Sequence, residues 1–201
     1  MENNKEIAGN VTDYDTHRNI ITKWIRVMFV CQIANLVTTA LGAIADFGAI
    51  AWISRVITIA FVVSLFNLST VHERYRKAAL FCGIHVGGDI LSALLDKNVF
   101  GLVLSVCSII AFYQEVNAHS EITAPKNAKL SKKWHSLFYY QLIFGVLTSL
   151  VSFASVVIAV LVGISPETIV TSALRFTALV GIILGLFRVI YLKQTFQLYN
   201  E

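Results

Sequence analysis

Apolar residues fall in six stretches, at about residues 24–45, 49–68, 78–95, 99–115, 136–164 and 168–192, separated by short polar or basic segments. An α-helix rises about 1.5 Å per residue and needs roughly 17 to 25 apolar residues to cross a hydrocarbon core of about 30 Å. Each stretch therefore predicts a membrane-spanning helix, the fourth being the shortest. An alternating period is absent, and the runs exceed the roughly 9 to 11 residues of an outer-membrane strand. The pattern predicts an all-α polytopic membrane protein with six transmembrane helices arranged as three helical hairpins. It divides the chain into an N-terminal tail (1–23), four spans (24–116), a basic loop (117–135), two spans (136–193) and a C-terminal tail (194–201).

The connections alternate in character, and this predicts an orientation. Asp46-Phe47-Gly48, Asp96-Lys97-Asn98 and Ser165-Pro166-Glu167 are short, whereas the other connections, with residues 5–26 and 188–193 toward the two termini, carry most of the Lys and Arg. Of the sixteen Lys and Arg residues, thirteen fall on the basic side, leaving Arg55, Lys97 and Arg175 on the other. Positive charge near the ends of spans is retained in the cytoplasm. Both termini are thus expected in the cytoplasm, with the chain in the cell inner (cytoplasmic) membrane. Trp24, Trp52 and Trp134 fall at predicted span ends, where amphipathic rings favour the headgroup region.

Composition narrows the class further. The chain is 56% hydrophobic and 14% charged. A soluble domain carries about 25% charged residues, so too few are present here to solvate a globular surface, and the apolar content excludes a disordered chain. The formal charge of +4 is accounted for by basic flanks beside anionic lipid and requires no nucleic-acid partner. Cys31, Cys82 and Cys107 all lie inside spans, where a thiol is a small packing residue.

Inside the odd-numbered spans the polar residues recur at helical spacing. Gln32, Asn35, Thr39, Gly42 and Asp46 form one stripe; His85, Asp89, Ser92 and Asp96 form a second; Gln141, Gly145, Thr148, Ser152 and Ser155 form a third. Three such stripes can converge on a polar interior. Asp89 lies twelve residues beyond Lys77, about 18 Å along a helix, and an ionised carboxylate at that depth costs about 2.5 to 3.5 kcal/mol unless it is paired, protonated or hydrated. His85, one turn away on the same face, is the nearest partner in sequence. Glu115 and Arg188 are further candidates for a cross-helix ion pair. Asp89, His85, Gln32, Asn35, Gln141, Arg188 and Glu115 together are the candidate ligand, ion or proton site. Gly83 with Gly87 and Gly181 with Gly185 have the spacing of close helix packing.

Two functions follow. One is a small-solute or ion transporter, or a ligand-binding membrane subunit, acting alone, as a homo-oligomer or with a partner membrane subunit. The other is an accessory, assembly or immunity protein docking through Lys126, Lys129, Lys132 and Lys133 of the basic loop. Metalloprotease, hydrolase and nucleotide-binding motifs are absent from the sequence. No enzyme activity, cofactor or metal is expected.

Overall fold

A computed structural model describes residues 2–44, 48–95, 101–162 and 166–200. They form α1 (Glu2–Ile44), α2 (Gly48–Leu68), α3 (Glu73–Leu95), α4 (Gly101–Thr123), α5 (Ala128–Val162) and α6 (Pro166–Asn200). There is no strand among the described residues. Asp46 and Asp96 lie outside them, as do the side chains of Ser152, Ser155 and Arg175. Each helix packs against its neighbours in the chain, and α1 meets α6, so the six close into a ring.

Among the described residues, five helices, α1 to α4 and α6, contain segments long and apolar enough to cross a membrane. All six carry exposed apolar side chains on their outer faces, including Val37, Val56, Leu94, Leu102, Phe153 and Leu186. In hydrocarbon such faces need no covering, and helix association rests on close packing and interhelical hydrogen bonds instead.

The helices run further than the apolar pattern alone indicates. α1 occupies most of the tail expected at 1–23, and α6 continues into the tail expected at 194–201 as far as Asn200. The basic loop expected over 117–135 is corrected to a turn at 124–127, because α4 continues to Thr123 and α5 starts at Ala128. The reason lies in the partners of its polar residues. Asn117, His119 and Thr123 face inward and are buried, as are Leu130, Trp134 and Leu137 at helical spacing on α5. Asn127 supplies a cap, its side-chain oxygen accepting from the Leu130 backbone N–H at 2.9 Å. The same end holds the start of α3, the first half of α1 and the last turn of α6; Arg18 Nε donates to the carbonyl of Tyr199 at 2.8 Å, satisfying one of the acceptors that every helix end leaves free. This is the basic end of the bundle.

A buried ion pair beneath a central polar chamber

Glu115 and His119 stand one turn apart on α4 and point into the ring. Glu115 is 2% exposed. Arg188 of α6 grips its carboxylate with both arms: Nε donates to Oε1 at 3.1 Å, and Nη2 donates to Oε2. The guanidinium also lies over the rings of Phe61, 4.7 Å away, and Phe112, 5.4 Å away. Fork-to-fork pairing and aromatic faces are the setting that suits arginine away from water.

One turn toward the basic end, His119 is fully buried and is held between α3 and α5. The Tyr75 hydroxyl lies 2.9 Å from Nδ1. The Trp134 ring stacks on the imidazole, with centroids 4.3 Å apart. Trp134 Nε1 in turn donates to Thr195 Oγ1 at 3.0 Å, which donates to the Tyr191 carbonyl at 2.9 Å. His119 Nε2 has no hydrogen-bond partner and faces Glu115 Oε1 at 3.8 Å. A proton on Nε2 would point at a carboxylate, so the favoured tautomer leaves Nδ1 to accept from Tyr75. This base joins α3, α4, α5 and α6 through polar and aromatic contacts. Trp134 belongs to it, fully buried, rather than to the interface its position in sequence suggests.

Above the base lies a chamber of about 190 Å³ with walls from all six helices, including Gln32, Asn35, Thr58, His85, Gln141 and Arg188. Two side rooms adjoin it. One, about 260 Å³, lies between α1, α5 and α6 beside Thr148 and Gly181; the other, about 330 Å³, lies between α2 and α3 beside Arg55 and Asp89. Asp89 pairs with Arg55, whose Nε donates to Oδ2 at 2.8 Å and whose guanidinium covers Trp52 at 4.8 Å. Each of these carboxylates therefore has its own arginine, and the walls of the chamber and side rooms carry no unbalanced charge from either pair.

The sequence-derived set thus divides. Gln32, Asn35, Gln141, Arg188, Glu115 and His85 come together at the chamber, with Asp89 in the adjoining room. The expected His85–Asp89 pairing is replaced, for His85 Nδ1 lies 3.0 Å from the Leu104 carbonyl of α4. Thr39 and Gly42 are exposed, and the Ser92 hydroxyl is buried without a partner. Of the four glycines, a Cβ at Gly185 would collide with Leu36 and one at Gly83 would lie 3.8 Å from Val62, while Gly87 and Gly181 face open space. Gly88, next to Gly87, makes the close approach instead, against Leu104. Lys126 lies 4.2 Å over the Tyr199 ring and Lys133 5.8 Å from the Tyr191 ring, whereas Lys129 and Lys132 are exposed.

Tyr75, His119, Trp134, Thr195 and Arg55 are the contributors that sequence reasoning missed. The four-residue spacing of Glu115 and His119 was a readable sign of a shared face. The partners on other helices left none.

Fold and surface together support a helical, multi-pass membrane protein with a polar interior. Comparison with known protein families, with curated proteins and with solved structures finds no match to this chain.

Proposed function

We propose that this protein crosses the cytoplasmic membrane six times, basic end and both termini inside, and binds a small uncharged polar ligand in its central chamber. It acts as a transporter or as a ligand-capturing membrane subunit, without a catalytic step. The observation that carries this reading is the chamber itself, to which every helix contributes and in which the carboxamides of Gln32, Asn35 and Gln141 surround a neutralised ion pair. A bundle needed only as an anchor would gain from filling that space, because unfilled volume forfeits packing contacts. Neutrality favours a ligand that hydrogen-bonds without charge over a bare cation, for which Asp89 would have to leave Arg55.

An accessory role through Lys126, Lys129, Lys132 and Lys133 draws support from the exposure of Lys129 and Lys132. It fits less well with a turn of four residues than with a mobile loop.

The test is native mass spectrometry of the protein released gently from its own membranes. A small-molecule adduct is expected, lost in Gln32→Leu at unchanged membrane abundance. Recovery with a second polypeptide and no adduct would overturn the binding role in favour of the accessory one.

A further inference from the structure

Between α4 and α5 an apolar groove of about 490 Å³ is walled by Ile109, Phe138, Leu142, Val146 and Leu150. Its inner end is shared with the polar interior: Phe112 and Gln141 also line the chamber, and Gln141 and Gly145 also line the side room between α1, α5 and α6. Groove and chamber meet at one carboxamide.

Gln141 is exposed and has no hydrogen-bond partner among the described residues. Its carboxamide, facing both groove and chamber, therefore keeps a donor and an acceptor free for a polar group placed between them. Further along the groove that capacity disappears, because the Ser149 hydroxyl already donates to the Gly145 carbonyl at 2.8 Å and the walls are aliphatic or aromatic. Gly145 keeps the floor open, with nothing within 4 Å of the place a Cβ would take. The space is therefore polar at one end and apolar along its length.

Size points the same way. Ligand pockets usually measure about 300 to 1,000 Å³; the groove, at about 490 Å³, lies well inside that range, the side room beside Asp89, at about 330 Å³, only at its lower edge, and the chamber alone outside it. Resting on the chamber reading above, we infer that the ligand is a single-chain amphiphile with an uncharged hydroxyl or amide head, admitted sideways from the bilayer between α4 and α5. Its head meets Gln141 at the chamber and its chain lies along α5 toward Leu150, about 13 Å away. Head toward the basic end and chain toward the bilayer centre is the orientation that a lipid already holds in the leaflet on that side. A helix of a second copy could cover the apolar walls, but it would leave the carboxamide and the chamber unfilled.

The test uses the full chain in phosphatidylcholine vesicles containing a diazirine-bearing monoacylglycerol. Photolabel is expected on residues 109–112 and 138–150. It should fall about tenfold in Gln141→Leu, which removes the head's hydrogen bond and its orientation, and similarly in Gly145→Leu, which fills the groove. Both positions have room for these side chains, and an unchanged unfolding midpoint verifies that the variants fold. Label that resists both substitutions is boundary lipid and overturns the proposal, as does a dimer whose second copy keeps label out of the groove. A small polar adduct that survives Gly145→Leu, without photolabel in the groove, overturns the amphiphile while leaving the chamber reading intact. Absence of both adduct and label overturns both.

Discussion

At the level of Glu115 and His119, side chains from α3, α4, α5 and α6 touch through an ion pair, a tyrosine hydroxyl and a stacked tryptophan. At the level of Asp89, Gly145 and Gly181, the same ring holds open rooms and an ion pair whose carboxylate side chain is 46% exposed. Both levels are made of helices with similar apolar outer faces, so general hydrophobicity does not separate them. In a bilayer, lipid solvates an apolar helix as well as another apolar helix does, and specific contacts decide where helices close. Large aromatic and hydrogen-bonding side chains gather at the basic end, whereas beyond it Gly145 and Gly181 face open space. The difference pairs a fixed base with a chamber able to admit a guest.

The largest test of that contrast is Glu115→Ala. It leaves Arg188 buried without its carboxylate and should destabilise the protein by about 3 to 5 kcal/mol, read as a lower unfolding midpoint in detergent. Replacing both residues, as Glu115→Leu with Arg188→Met, should recover most of the loss. A midpoint unmoved by Glu115→Ala would mean that the base does not hold the ring.

Tyr75→Phe keeps the ring and removes only the hydroxyl opposite His119 Nδ1. The expected cost is about 0.5 to 2 kcal/mol, and hydrogen exchange of the α3 and α4 amides near Tyr75 and His119 should rise before that of α1. A uniform rise across all helices would show that this contact has no local role.

Two glycines of the same sequence spacing should behave differently. Gly185→Ala must displace the Leu36 side chain and should lower stability by about 1 kcal/mol. Gly181→Ala meets open space, and its better helix propensity should add about 0.5 to 1 kcal/mol. Equal effects at the two sites would remove the distinction between closed and open levels on α6.

Asp89→Asn is the mildest change. The pair with Arg55 opens onto a cavity and Asn still accepts a hydrogen bond, so the expected loss stays below about 1 kcal/mol. A loss as large as that of Glu115→Ala would place a second closed layer in the open half.

The apolar runs alone established the helical class, because each covers the length that a bilayer crossing requires, and the basic residues led to the orientation proposed. Helical spacing also gathered Gln32 with Asn35 and set Gln141 on one face with Gly145, since residues three and four apart share a side whatever lies opposite. It could not tell which face of a helix meets which neighbour. Asp89 found Arg55 on α2 rather than His85 on its own helix; Gly88 rather than Gly87 meets α4; and His119 and Trp134, which sequence position puts near the surface, are sealed in the base. Periodicity repeats within one helix and specifies a stripe. The closure of six helices into a ring sets their rotations against one another, and those rotations determined the buried pair, the chamber and the groove beside it.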